Sequence, residues 1–310
     1  MARLLHRLQQ REFTVTVEVD PPRGPDPAEA VAFVRLFADR VDAVNVADCP
    51  MASVRMSPIT LAHLLQRDLQ VECIFHLTCR DRNLIGLQAE LLGAAGLGVR
   101  NILALRGDDP ERGDQPDAAG VFQCDAAGLV AIAANLNRGY TVAGRELGGR
   151  TGFAIGVATS PASDDPAREV DRLLAKVEAG AHFAQTQPVY DPAVVERFQE
   201  HLARRGLENF PILYGIMPLK SYRNALYLAR NVPGVRIPPR VLERMERGDR
   251  DEGVRIAAEV IAAIAPRVHG VHLFPMNSAR LVLGLLDRME EMGLRRSHPA
   301  LRAAVGGATA

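Results

Sequence analysis

The feature that most constrains this chain is its rhythm. Short β-rich apolar runs alternate with longer amphipathic stretches along nearly its whole length. The runs cover 13–19, 42–46, 71–76, 101–105, 152–157, 183–187, 211–214 and 268–274. Helical patterns fill the gaps at 28–38, 58–67, 83–95, 125–137, 165–179, 192–205 and 222–231. A short helix is predicted over 239–247, a longer one over 251–264 and a last one over 278–292. About eight strand–helix units is the number that closes a parallel barrel. The runs are apolar throughout, as in strands covered on both faces. The predicted fold is α/β, a single (βα)8 TIM barrel over 1–300, with a disordered tail over 301–310. A doubly wound open sheet is the alternative, because periodicity does not distinguish closure from openness.

Composition narrows the function classes. Of 310 residues, 47% are hydrophobic and 24% charged, with 37 basic against 37 acidic side chains and no net charge. Such a chain buries a core and is not disordered. It lacks the basic excess that broad nucleic-acid binding needs, and with 5% aromatics and no Trp it offers no stacking surface for bases. No apolar run reaches the roughly 20 residues of a membrane span. Arg3, His6, Arg7 and Arg11 break up the N-terminus, so no signal peptide is read there. Cys49, Cys73, Cys79 and Cys124 have no tight CxxC spacing and read as reduced thiols of a cytoplasmic protein. Gly93, Gly96 and Gly98 lie between a helix and the next strand, the wrong place for a dinucleotide fingerprint.

In a barrel of this kind, chemistry sits at the C-terminal strand ends. The polar residues there are Glu18 and Asp20; Asn45, Ala47 and Asp48 around a small residue; His76 and Thr78; Arg106-Gly107-Asp108-Asp109; Thr186-Gln187; Lys220 and Asn224; and Asn277 and Arg280. Glu18 interrupts an apolar run, on the polar side of the Thr14, Thr16, Glu18 alternation. A carboxyl there must be protonated or paired. Desolvation is expected to raise its pKa, which suits a general acid; an ion pair with Arg or Lys is the competing reading. Gly107 allows close backbone approach to a ligand. Asp108 can accept from a ring N–H, and Arg106 can bind a phosphate, although Gly-Asp-Asp-Pro is also an ordinary turn. Gln187 suits the amide edge of a pterin, or ties two strands. His76 has no second ligand at metal spacing, so no metal is expected. Cys73 and Cys79 read as packing residues.

These residues carry a resemblance. Val17-Glu18-Val19-Asp20-Pro21-Pro22-Arg23, His76-Leu77-Thr78-Cys79, Leu105-Arg106-Gly107-Asp108, Lys176-Val177-Glu178-Ala179-Gly180-Ala181, Thr186-Gln187 and Gly215-Ile216-Met217-Pro218 follow in order. In that register the chain resembles the methylenetetrahydrofolate reductase family. The segments 45–57 and 79–88 are similar to the type also found fused to homocysteine methyltransferase. No methyltransferase half and no regulatory domain is expected here.

The resemblance implies a barrel that holds FAD at its mouth. It implies reduction of 5,10-methylenetetrahydrofolate to 5-methyltetrahydrofolate, with NADH or NADPH reducing the flavin. Glu18 is then the general acid, and Asp108 orients the folate beside the flavin. Gln187 binds the pterin, with Asn224 and Arg280 on the substrate side. Ala47, Asp48, His76, Arg106, Gly107, Asp108, Glu169 and Lys176 form the cofactor set. A homo-oligomer or a methyltransferase partner is compatible with this reading. Gly156 and Ser160 depart from members with an aromatic residue and a His after strand five that contact FAD. Ser278 departs from members with an Arg after the last strand. The alternatives are another flavin barrel, such as a proline-dehydrogenase-like oxidase, and a non-catalytic accessory subunit of a methyl-transfer complex.

Overall fold

The computed structural model describes residues 3–232 and 234–294. The tail over 301–310 lies outside the described residues. Eight parallel strands are hydrogen-bonded in chain order: β1 (Thr14–Val19), β2 (Ala43–Val46), β3 (Cys73–Thr78), β4 (Asn101–Leu105), β5 (Ala154–Thr159), β6 (Phe183–Pro188), β7 (Ile212–Ile216) and β8 (Gly270–Leu273). β8 pairs back onto β1, with Thr16 opposite His272, so the sheet is a closed barrel and the open-sheet alternative falls.

The helices are α1 (Arg3–Gln9), α2 (Ala28–Arg35), α3 (Pro58–Leu69), α4 (Leu84–Gly96), α5 (Ala126–Arg138), α6 (Pro166–Glu178), α7 (Pro192–Arg204), α8 (Tyr222–Asn231), α9 (Pro239–Arg247), α10 (Glu252–Ile264) and α11 (Ala279–Glu291). Several start one residue after the sequence pattern does, because that first residue is the cap. Asn83 accepts from the N–H groups of Ile85 and Gly86, Asp125 from Gly128 and Asp165 from Arg168. The helix expected over 28–38 stops at Arg35; a tighter turn over Ala38–Arg40 then brings the chain round to β2. Strands β3 and β5 run two residues further than predicted, because their terminal Thr78 and Thr159 are buried partners in hydrogen bonds rather than turn residues.

Outward-facing Val15, Val17, Phe75, Ile102, Val157 and Tyr214 pack against the helix layer in the main core. The inner face is stacked differently. Its lowest layer is apolar: Ala43, Ile74, Leu103, Ala154, Phe183 and Leu213 meet Leu4, Leu5 and Leu8 of α1. This N-terminal helix, which the strand–helix count overlooked, closes the bottom of the barrel. The Leu4 N–H donates to the Glu72 carboxylate at 3.0 Å. The insertion of α8, α9 and α10 between β7 and β8 builds a satellite core around Leu219, Leu228, Val241 and Met245.

Candidate active site

Above the apolar layer lies a buried polar floor. Thr16, Asn45, His76, Gln185 and His272 are each no more than 5% exposed, and buried polar groups need partners. They find them in one another. Gln185 and Asn45 exchange amide hydrogen bonds of 2.6 and 3.2 Å. Asn45 Nδ2 lies 3.0 Å from His76 Nε2 and donates to it, which places the ring proton of His76 on Nδ1. Gln185 Nε2 also donates to Thr16 Oγ1 at 3.2 Å, and Thr16 Oγ1 lies 2.9 Å from His272 Nδ1. The other nitrogen of His272, Nε2, faces the Glu18 carboxylate at 3.7 Å. Burial pushes the His76 imidazole down to about 4, so it is neutral near pH 7.

Glu18 stands on this floor at the barrel mouth, its side chain 25% exposed. Burial, the largest single influence, pushes its carboxyl up, but the hydrogen bond from His272 and the charges of His76 and His272 together outweigh it, and the carboxyl sits below its ordinary value. The rise expected from desolvation alone is therefore reversed, and the partner is a histidine rather than the Arg or Lys that the sequence reading considered. Asp20, two residues on, is held above its ordinary value by burial and by the Glu18 charge. Its carboxylate also faces Asn277 Nδ2 at 3.4 Å. Arg55 reaches the same side and donates to the Pro21 carbonyl at 3.0 Å, and its Nε is buried without a partner.

Across the mouth, Gly107 has φ +89°, and a Cβ there would lie 2.9 Å from Thr78 Cβ, so glycine is required for this close approach. Arg106 lies 4.1 Å over the Phe122 ring and pairs with Asp109 at 2.8 Å. Asp108 accepts from the Met51 N–H at 3.1 Å, which ties the loop after β4 to the loop after β2. In that second loop Cys49, Met51 and Ala52 all have positive φ. Lys176 Nζ donates to the Ala158 carbonyl at 2.7 Å, and burial lowers its pKa.

The remaining expected residues have local duties. One carboxylate oxygen of Asp48 accepts from Thr78 N, Thr78 Oγ1 and Arg82 Nη1, at 2.9, 2.9 and 3.0 Å. Ala47 is buried beside it in the chain. Glu169 accepts from Thr159 Oγ1 and from the Ser160 N–H, at 2.9 and 3.0 Å. Ser221 caps α8 by accepting from the Asn224 N–H, and Asn224 Oδ1 accepts from the Lys220 N–H. Arg280 donates to the Arg250 carbonyl and to Asp251, both at 2.7 Å. Gln187 is exposed at a register shift in the β6–β7 pairing and is bordered by Gly234. Gly156 is not in the loop after β5 as expected. It lies mid-strand on the inner face, where a Cβ would fall 2.4 Å from the Phe183 ring.

Sequence reading missed Gln185 and His272 as site residues. The available signal was a polar residue on the inner face of a run that is otherwise apolar. Among the described residues, no group of three His, Cys, Asp or Glu side chains could hold a metal ion. No helix among them is long and apolar enough to cross a membrane.

The sequence profile of the methylenetetrahydrofolate reductase family matches residues 3–290. This chain belongs to that family. Methylenetetrahydrofolate reductase 2 of Schizosaccharomyces pombe is 30% identical over 251 residues, covering 74% of this chain and 37% of that protein. Methylenetetrahydrofolate reductase (NADH) 1 of Arabidopsis thaliana is 28% identical, covering 96% of this chain and 52% of its own length. The chain thus spans about half or less of these eukaryotic relatives. The 5,10-methylenetetrahydrofolate reductase of Pectobacterium carotovorum is 26% identical, with 88% of each chain covered. A protein from Clostridium thermocellum that binds two copies of 5-methyl-5,6,7,8-tetrahydrofolic acid superposes with a TM-score of 0.65. It covers 94% of this chain and 99% of its own at 12% identity, a likeness of fold. Membership of the reductase family displaces the proline-dehydrogenase-like alternative.

Proposed function

We propose that this chain reduces 5,10-methylenetetrahydrofolate to 5-methyltetrahydrofolate, with NADH or NADPH as reductant and FAD as the bound carrier. The observation that carries this reading is Glu18, a carboxylate raised on a hydrogen-bonded polar floor at the mouth of a barrel of this family. A scaffold gains nothing from burying two imidazoles and two amides at this depth, since burial of polar groups costs stability even when they are paired.

The mouth suits a flavin nucleotide. Gly107 clears the backbone beside Thr78, Arg106 brings a guanidinium to the rim over the Phe122 ring, and the buried Arg55 Nε awaits an acceptor. Arg106, Gly107, Asp108 and Lys176 would hold the cofactor, with Ala47, Asp48, His76 and Glu169 shaping the walls behind them. When bound, the flavin supplies the hydride.

The protein supplies the proton and the orientation. Opening the imidazolidine ring to a cationic acceptor requires protonation of a ring nitrogen, and Glu18 is the acid in reach of the mouth. The carboxylate is ionised in the free barrel, so its proton must arrive with the substrate. A ligand that fills the mouth removes the remaining water from Glu18 and raises its pKa. The His272 imidazole at 3.7 Å is positioned to share that proton, with Thr16 fixing its other nitrogen. Asp108 after β4 and Gln187 in β6 orient the pterin from the two strands that flank β5.

The test separates the two half-reactions. Glu18→Gln should keep its flavin and its bleaching by NADH or NADPH, while reoxidation by methylenetetrahydrofolate slows by about 10²- to 10⁴-fold. Reoxidation at the wild-type rate in a flavin-loaded variant would overturn the acid assignment.

A further inference from the structure

Cys79 and Cys124 are 45 positions apart in the chain and adjacent in space. Their sulfurs lie 3.7 Å apart, with the Cys124 thiol donating to Cys79 Sγ. The Cys79 thiol in turn donates to the Asp125 carbonyl at 3.3 Å. The two segments are already joined as a short ladder, since Phe122 N donates to the Cys79 carbonyl at 3.1 Å and Val121 N to the Arg80 carbonyl at 2.7 Å. Cys79 is buried at the end of β3, whereas Cys124 is partly open to solvent just ahead of α5. The loop between β4 and Cys124 carries Arg106, Asp108 and Phe122.

We propose that Cys79 and Cys124 are a reversible disulfide site, oxidised by hydroperoxides, that clamps the loop after β4 to the end of β3. The order of events follows from exposure. Cys124 sulfur attacks the peroxide oxygen, giving a sulfenic acid and releasing an alcohol, or water when the oxidant is hydrogen peroxide. Cys79 sulfur then attacks the Cys124 sulfur, the S–S bond forms, the S–O bond breaks and water leaves. Two thiols lose two electrons in total, and the peroxide O–O bond takes them. Closing the sulfurs from 3.7 Å to the roughly 2.05 Å of a disulfide is a side-chain movement, because the backbones on both sides are already held together. Burial raises both thiol pKa values, so the pair is oxidised slowly and by proximity rather than by unusual acidity. Cys49 and Cys73 share no sulfur–sulfur contact of this kind among the described residues.

The experiment uses the full chain and hydrogen peroxide. Thiols titrated after denaturation should fall from the four of the sequence to two, and dithiothreitol should restore four. Peptide mapping should find Cys79 linked to Cys124 within one chain. In Cys79→Ser, a sulfenic-acid reagent should label Cys124; in Cys124→Ser, position 79 should stay unlabelled. Cys49→Ser, a control outside the pair, should still form the bond. A count that stays at four, a loss of thiols without the linked peptide, or a link through Cys49 would overturn the proposal. None of these readouts depends on folate chemistry, so the disulfide and the reductase reading stand or fall separately.

Discussion

At the scale of single residues, the Glu18–His272 pair decides the electrostatics of the mouth. Burial alone would lift the Glu18 carboxyl; the facing imidazole of His272, with His76 behind it, reverses the sign. His272→Gln should therefore raise the Glu18 pKa, because the main influence that offsets desolvation is then gone. Side-chain NMR of labelled glutamate reads this directly, and a Glu18 pKa that stays put or falls in the variant would contradict the pairing. The carboxyl itself was legible in the sequence, since a charge inside an apolar run stands out. Its partner was not. His272 sits between Val271 and Leu273 with nothing in the local sequence to show that β8 closes onto β1, and only closure brings Thr16 opposite His272. Gln185 was hidden in the same way by Gln187 two residues later. Gln185 is buried in the floor, and a register shift separates it from Gln187, which is exposed at the rim. The residues read from resemblance divide similarly: Glu18, Asp108 and Gln187 stand around the mouth, whereas Asp48, Glu169 and Arg280 spend their hydrogen bonds on neighbouring loops and helices.

At the scale of elements, the eight strands and helices α2 to α11 were readable from period alone, among the described residues. Helix α1 was not, because seven residues make too short a window for periodicity. Its Leu4, Leu5 and Leu8 nevertheless form one apolar face, and what they bury is the bottom layer of the barrel. Leu8 is 1% exposed, so Leu8→Ala should cost about 2–5 kcal/mol of unfolding free energy. Denaturant melts give that number; a loss below about 0.5 kcal/mol would mean that the helix lies on the barrel without supporting it.

For the whole molecule, the polar floor links stability to pH. The His76 pKa falls from 6.5 to about 4 on folding. The unfolded chain therefore takes up this proton first, and stability is lost as pH falls from about 6.5 towards 4, by on the order of 3 kcal/mol. Glu18, with its folded pKa depressed, adds to the loss at lower pH, as the pH falls through its folded value. Thermal melts followed by circular dichroism should show this slope. His76→Gln, which keeps an acceptor for Asn45, should flatten the part between pH 6.5 and 4; an unchanged slope would place the acid sensitivity elsewhere. The stopper of α1 below and the floor above it have a further effect. They make the barrel a well with a single doorway, so donor and acceptor cannot arrive from opposite ends. Under the proposed reaction the two visitors take turns, and the reducing equivalents wait inside between one visit and the next.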